Sequence, residues 1–89
     1  MPRPIKDRYV KGEPPVSYFK PRGIHLSELE EVRLSVEELE ALRLADLEGL
    51  YQEEVSERMG VSRQTVQRML GSARRKVATA LTCGNALLI

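Results

Sequence analysis

The chain has 89 residues, of which 42% are hydrophobic and 30% are charged, and its net charge at pH 7 is +1. This length predicts one domain with a modest core. The sequence has no long apolar run and no signal-peptide pattern, so we do not expect a membrane protein. Without tryptophan and with a single phenylalanine, the core must come from Leu, Val, Met and Ala, which favours a helical bundle. One cysteine, Cys83, excludes an intrachain disulfide, so we expect a cytoplasmic protein.

Charge is distributed unevenly along the chain. Residues 1–23 hold six basic and two acidic side chains, residues 24–57 hold two basic and eleven acidic ones, and residues 58–89 hold six basic and no acidic ones. A protein that binds phosphates needs clustered Lys and Arg, because counterion release scales with local contacts rather than with net charge. The sequence therefore predicts a basic surface on the last segment and at the N-terminus, with the acidic middle segment facing away from DNA or towards a partner.

Residues 1–34 are interpreted as a basic, proline-rich arm with short strands. Five prolines exclude helix from its first part, where residues 16–20 form the one candidate strand. Four basic residues are spaced by proline and apolar residues, as in arms that enter a minor groove, and a solvated tail is the alternative. These candidate arm contacts are Arg3, Lys6, Arg8 and Lys11.

The segment that follows carries two conflicting signals. Ser27 with Glu30 three residues on is typical of a capping box and predicts a short helical turn. Val32 and Leu34 alternate with Arg33, which favours a short strand just before the bundle.

Residues 35–81 are predicted to form a three-helix bundle, with helices at about 36–48, 51–59 and 63–81. Ser35 with Glu38 is a second capping box and begins the first helix. That helix is apolar on more than one side, so one side is expected to face the other helices and another to face the N-terminal segment or a second subunit. Its apolar residues are Val36, Leu39, Leu42, Leu44, Ala45 and Leu47.

The second and third helices have the spacing of a DNA-binding helix-turn-helix. Val55 and Met59 lie one turn apart, and Gly60 provides the positive φ that a sharp turn requires. Val61 fills the angle between the helices, and Ser62 is suited to cap the next helix. Two helices joined by a glycine turn also occur in bundles that bind no nucleic acid, so the motif by itself is not decisive.

The third helix is predicted to have one apolar and one polar face. At about 100° per residue, the apolar residues gather on one side, and Gln64, Arg68, Gly71 and Arg75 lie opposite. The apolar set is Val66, Met69, Leu70, Ala73, Val77, Ala80 and Leu81. Gly71 inside a helix costs about 1 kcal/mol relative to Ala. Either a close approach by DNA or another helix explains it, or the position is exposed and neutral.

The apolar tail, residues 82–89, is predicted to be an edge strand or a hook into a partner. A single helix-turn-helix contacts only a few base pairs, and the chain has more apolar surface than one small bundle covers, so we expect a homo-oligomer, with a twofold dimer favoured. The tail and residues 16–19 are candidates to pair across subunits.

Three stretches resemble a known family: residues 14–23 (PPVSYFKPRG), 36–49 (VEELEALRLADLEG) and 59–63 (MGVSR). They look like an uncharacterised prokaryotic family of small predicted DNA-binding proteins, filed as domain of unknown function 134. The resemblance covers nearly the whole chain and implies a helix-turn-helix similar to region 4 of sigma factors, without an established target.

By this likeness the base-contacting positions are Ser62, Arg63, Gln64, Gln67 and Arg68, and Gln52 is a phosphate contact at a helix N-terminus; Thr65 and Arg75 complete the candidate DNA-binding set. Tyr51 is a departure, because family members usually carry Ser or Thr at that position. The expected cap of the second helix is therefore missing.

The residues give little support for other chemistry. One histidine and one cysteine do not make a zinc site, and no nucleophile elbow or glycine-rich phosphate loop is present, so we expect neither an enzyme, nor a metal, nor a cofactor. Three hypotheses remain: a sequence-specific transcriptional regulator that binds double-stranded DNA, a module that contacts RNA polymerase or another protein through its acidic segment, and a nonspecific architectural DNA binder.

Overall fold

The computed structural model describes residues 14–89, apart from the side chain of Leu26, and the structural statements below concern that part of the chain. The protein is mainly α-helical with a small sheet, as predicted. The elements follow in the order β1 (Tyr18–Phe19), a 3-10 turn (Leu26–Glu28), β2 (Glu31–Arg33), α1 (Val36–Leu42), a π-helical turn (Arg43–Leu47), α2 (Gln52–Met59), α3 (Arg63–Cys83) and β3 (Ala86–Leu88).

The first helix begins at the predicted capping box. The Ser35 hydroxyl accepts a hydrogen bond from the Glu38 amide at 3.0 Å, and the Glu38 carboxylate accepts one from the Ser35 amide at 2.9 Å. The helix was expected to continue regularly to residue 48. Instead its last turn widens into the π-helical segment, in which the Glu48 amide donates to the Arg43 carbonyl.

The turn before β2 differs in detail from its prediction. The Glu28 amide donates to the His25 carbonyl at 3.0 Å, so the turn closes on His25 and Ser27 lies inside it rather than at its cap. The predicted strand follows as β2, centred on Val32.

The turn between α2 and α3 has the expected geometry. Gly60 lies in the left-handed region (φ 71°, ψ 33°), and its amide donates to the Ser56 carbonyl. Ser62 caps α3, because its hydroxyl accepts a hydrogen bond from the Thr65 amide at 3.1 Å. The two predicted helices and the tight turn between them are therefore present, and α3 continues two residues beyond its predicted end.

The helices enclose one apolar core between α1, α2 and α3. Its members are fully buried, and four half-buried side chains pack around them. The buried members are Ala41, Leu44, Val55, Met59, Val66 and Leu70, and the surrounding ones are Ala45, Leu50, Val61 and Met69. This core orients α3 so that the face opposite Val66 and Leu70 is exposed.

The C-terminal tail was expected to be an edge strand or a hook into a partner, and that prediction is wrong. Strand β3 is the central strand of a mixed sheet in the order β1-β3-β2, antiparallel to β1 and parallel to β2. Tyr18 lies opposite Leu88 in the same chain, so the strands predicted to pair across subunits pair within one subunit. Ala86 is fully buried at the start of this strand.

Two apolar residues assigned to covered faces are exposed. Leu47 is 79% exposed because the π-helical turn moves it away from the core, and Leu81 is 78% exposed beyond the end of the bundle. The other predicted apolar residues of α3 are buried or half-buried.

Candidate nucleic-acid interface

The N-terminal half of α3 presents the predicted base-contacting side chains to solvent. Arg63, Gln64, Gln67 and Arg68 are exposed, and so is the capping Ser62. The N-cap Ser62 determines where α3 begins, and packing against the core determines the rotation of the helix about its axis. As a result, five of the predicted positions lie together at one end of one helix.

Thr65 has a different position from its neighbours. It is half-buried, and its hydroxyl lies 2.9 Å from the hydroxyl of the capping Ser62. The Arg68 guanidinium donates to the same Thr65 hydroxyl at 3.4 Å. Thr65 therefore holds the side chain of Arg68 near the N-terminus of α3, and its hydroxyl is already engaged within the protein.

Two cations in the C-terminal half of α3 are bound by carboxylates of α1 and the turn after it. Arg74 makes a bidentate pair with Asp46, at 2.7 and 3.1 Å. Its hydrogen bonds lower the pKa of Asp46, and that carboxylate in turn raises the pKa of Arg74. The Lys76 ammonium lies 2.8 Å from the carboxylate of Glu38. The number of basic residues in this segment therefore overestimates the positive charge that α3 has available for a ligand.

Arg68 and Arg75 are the α3 cations that pair with no carboxylate of the described residues. Within residues 14–89, no carboxylate lies within ion-pair distance of either guanidinium. Both lie on the exposed face predicted for Gln64, Gly71 and Arg75. This exposed face, defined by Gln64, Arg68, Gly71 and Arg75, is called the outer face of α3 below.

The acidic middle segment does not point wholly away from this end of the molecule. The Glu53 carboxylate on α2 lies 4.0 Å from the Arg63 guanidinium, with both side chains largely exposed. Arg58 contacts Glu54 at 3.8 Å and Glu48 at 4.0 Å. Since exposed pairs of this kind contribute only about 0.2–1 kcal/mol, a phosphate can displace Glu53 from Arg63 at small cost.

Gln52 is the first residue of α2 and is half-buried. The preceding residue, Tyr51, occupies the N-cap position and makes no side-chain capping hydrogen bond, as expected from the missing Ser or Thr. Its ring is 83% exposed. The first turn of α2 is thus formed without the serine cap that α1 and α3 have.

Gly71 lies in the middle of the outer face with no steric requirement for glycine inside the protein. A Cβ atom added there would meet no atom within 4 Å, and the residue is exposed. Close packing of another helix within residues 14–89 is therefore not the reason for this glycine.

The remaining predicted residues are outside this surface. Arg3, Lys6, Arg8 and Lys11 lie outside the described residues. In the described part of the chain, no three His, Cys, Asp or Glu side chains are grouped as metal ligands, and no helix is both long and apolar enough to cross a membrane. Sequence reasoning did not identify Glu38 and Asp46 as the residues that select which α3 cations remain unpaired. Contacts between residues 28 or more positions apart leave no local signal.

Comparison with known proteins places the whole chain in one family. Residues 1–89 match the family described as "Protein of unknown function DUF134". A UPF0251 protein of Caldanaerobacter subterraneus subsp. tengcongensis is 61% identical over all 89 residues, which span 75% of that protein. Corresponding proteins of Thermoanaerobacter pseudethanolicus and Desulforudis audaxviator are 58% and 60% identical over the whole chain, which spans 75% and 58% of their lengths. No solved structure matches the chain.

Proposed function

The chain belongs to the family described as "Protein of unknown function DUF134", and we propose that this member is a sequence-specific DNA-binding protein that regulates transcription. In this proposal α3 enters the major groove of double-stranded DNA. The protein acts as a binding module and not as an enzyme.

The outer face of α3 is the observation that carries the proposal. It combines the guanidinium groups of Arg68 and Arg75, which pair with no carboxylate of residues 14–89, with the amide of Gln64. The helix that carries it begins after a turn with left-handed Gly60 and the N-cap Ser62. Major-groove helices place such side chains in their first turns, towards base edges. Two other cations of α3 are already in ion pairs, Arg74 with Asp46 and Lys76 with Glu38. The positive charge that remains available is therefore concentrated on the side that DNA would approach.

Gln64 and Arg68, the two residues of the outer face nearest the N-terminus of α3, have side chains that can each form two hydrogen bonds with one base. A guanidinium can donate to both O6 and N7 of guanine, and a glutamine amide can bond both N6 and N7 of adenine. Each bidentate pair contributes about 1–3 kcal/mol of discrimination against a wrong base. In this proposal Arg68 and Gln64 make these contacts, and Thr65 positions Arg68.

Selection of bound duplexes from a random DNA library tests the function directly. We expect enrichment of one sequence, which wild-type protein binds about 10³-fold or more tightly than random DNA. Arg68→Ala should weaken binding to the selected duplex by about 1–3 kcal/mol, and binding to random duplexes much less. Both affinities are measured by fluorescence anisotropy.

Arg33→Ala is the matched control, because Arg33 is an exposed arginine on strand β2. It removes the same charge and should leave the selectivity between the two duplexes unchanged. An equal loss on selected and random DNA in Arg68→Ala would assign that residue to phosphate instead. DNA binding without any enriched sequence would indicate an architectural binder, and RNA polymerase retained by an Arg68→Ala protein that binds no DNA would indicate a protein-interaction module.

A further inference from the structure

The outer face of α3 contains a glycine that the protein itself does not need. Gly71 lies eight residues beyond the start of a 21-residue helix, where glycine is less favourable than alanine. Its φ is not positive, so no left-handed backbone requires it. An added Cβ would meet nothing within 4 Å. Alanine would therefore fit and stabilise the isolated protein.

The absence of a side chain at this point leaves the helix backbone open to close approach. Arg68 precedes Gly71 by three residues and Arg75 follows it by four, so both lie about one turn away on the same side of the helix. Neither guanidinium has a carboxylate partner within residues 14–89. An open stretch of backbone between two unpaired cations is suited to a chain of phosphates.

A helix from a second copy is the other object that a glycine could admit. A twofold contact at Gly71 would bring Arg68 and Arg75 of one copy against the same residues of its partner. Helix α3 contains no acidic residue that could compensate this repulsion. Charge therefore favours a polyanion over a second copy.

We propose that Gly71 is the point at which α3 comes closest to the sugar-phosphate backbone of DNA, and that Arg75 is the phosphate contact beside it. Gln64 and Arg68, nearer the N-terminus, lie deeper in the groove, whereas Gly71 and Arg75 lie against its wall. In this arrangement, contact of the Gly71 backbone with the DNA backbone sets how deeply α3 enters the major groove. It rests on the proposed DNA-binding function.

The test compares Gly71→Ala with the wild type in thermal unfolding and in binding to the library-selected duplex. Gly71→Ala should raise the melting temperature, because alanine is the better helix former, and should weaken DNA binding about 10-fold or more. The control Ala78→Ser adds one heavy atom to an exposed position two turns farther along α3, and should leave the affinity within about twofold. Because the main variant is expected to be more stable, loss of folding cannot account for its weaker binding.

Arg75→Ala provides an independent arm. It should weaken binding to selected and random duplexes alike and reduce the slope of log K against log salt by about 0.9, the value for one phosphate contact on duplex DNA. Unchanged affinity in Gly71→Ala, or an unchanged slope in Arg75→Ala, overturns the inference while leaving the DNA-binding function intact. A fall in molecular mass of Gly71→Ala without DNA would assign the site to a second copy and also overturn it. Failure of the wild type to bind any duplex would overturn the proposed function and this inference together.

Discussion

Three residues precede the three helices, and their backbone conformations are nearly the same. The φ and ψ angles are −73° and 159° at Ser35, −75° and 162° at Tyr51, and −74° and 159° at Ser62. The two serines accept hydrogen bonds from the amides three residues on, whereas the Tyr51 side chain makes no such bond, because its one oxygen lies at the far end of the ring. One helix of the candidate interface therefore begins without a cap that its backbone is already arranged to accept.

Tyr51→Ser should stabilise the protein by about 0.5 kcal/mol, the low end of capping effects, because the serine hydroxyl would offer a second acceptor to the Glu54 amide, which already donates to the Tyr51 carbonyl at 3.0 Å. Glu54 stands three residues after the cap and would complete a capping box like that of Ser35 and Glu38. Urea unfolding measures the change in the free energy of unfolding.

Ser62→Ala is the complementary variant, with an expected loss of about 0.5–2 kcal/mol at the start of α3. Tyr51→Ala separates the two effects of the first substitution, because it removes the exposed ring without adding an acceptor. Equal stabilities of Tyr51→Ser and Tyr51→Ala would contradict the capping argument.

At the scale of elements, Glu38 connects α1 to α3. Its carboxylate accepts hydrogen bonds from the Ser72 hydroxyl at 2.5 Å, from the Lys76 ammonium at 2.8 Å and from the Ser35 amide. Burial of this side chain raises its pKa, but the hydrogen bonds from Lys76, Ser72 and Ser35 outweigh burial, so the pKa is lowered overall. Glu38 thus completes the capping box of α1 and also binds two residues in the middle of α3.

The lowered pKa makes this connection sensitive to acid. A carboxyl whose pKa is lower in the folded than in the unfolded state stabilises the fold fully at pH values above its ordinary pKa of about 4.3. The stabilisation is lost as the pH falls through the folded-state value. Unfolding free energy should therefore decrease below about pH 4.3, with Asp46 adding to the effect because Arg74 lowers its pKa as well.

Glu38→Gln should reduce the free energy of unfolding by about 1–3 kcal/mol at pH 7, because hydrogen bonds to a charged group are lost or weakened. Glutamine still serves in a capping box, so the start of α1 is preserved. The difference from the wild type should disappear as the pH falls from 7 through the lowered folded-state pKa of Glu38, because the wild-type side chain then becomes neutral as well. Chemical unfolding across this pH range measures it.

Glu57→Gln is the control for a carboxylate on an exposed surface, since Glu57 lies on the exposed side of α2. It should leave the free energy of unfolding at pH 7 nearly unchanged. A pH-independent difference between Glu38→Gln and the wild type would show that packing, and not the charge of Glu38, connects the two helices.

At the scale of the whole molecule, the sheet and the C-terminal end of α3 enclose an apolar groove of about 380 Å³. Phe19, Val77 and Leu87 are among the residues that line it, and Leu81 projects from its rim with 78% of its surface exposed. A projecting side chain beside a groove is self-complementary under a twofold axis, because each copy can insert its leucine into the other. This patch is our candidate for the dimer interface.

The distance along α3 is compatible with that assignment. Leu81 lies 13 residues beyond Arg68, which corresponds to about 20 Å of helix. Two helices that meet near Leu81 can therefore hold their Arg68 residues about 34–36 Å apart, the spacing of successive half-sites on DNA.

Leu81→Lys should convert a dimer into a folded monomer, because burying the ammonium at the interface is unfavourable. Light scattering at micromolar concentration measures the mass, and circular dichroism checks the helix content. Thr82→Lys adds the same charge at the next exposed residue, which does not line the groove, and should remain dimeric.

A wild-type protein that is monomeric at this concentration would contradict the dimer, and a dimeric Leu81→Lys would place the interface elsewhere. Deletion of residues 82–89 is not a suitable test of the interface. It removes β3, the strand on which both other strands pair, and would unfold the sheet.

Much of the helical part of the protein was determined by local sequence. Capping by Ser35 and Ser62, the left-handed turn at Gly60, and the apolar spacing of Val55, Met59 and Val66 are interactions within one or two helical turns. Capping and left-handed turn residues act mainly on backbone groups close to them in sequence, so their preferences can be read from local sequence. For this reason the tight turn between α2 and α3 and the exposed polar face of α3 follow from the sequence, whereas the widened turn at Arg43–Leu47, after α1, does not.

Only the tertiary structure decided the remaining features. The central position of β3 depends on pairing between residues 31 and 86, and the charge left on α3 depends on contacts of Glu38 and Asp46 with residues 28 to 38 positions away. Neither leaves a periodic pattern, because each joins single residues across a long loop of chain. The sequence by itself determined that this protein has a basic helix with an exposed polar face. The packing of α1 and the turn after it against that helix pairs Arg74 and Lys76 with carboxylates and leaves Arg68 and Arg75 without one among residues 14–89. This matters for the proposed function, because an arginine already paired with a carboxylate has less to gain from a phosphate.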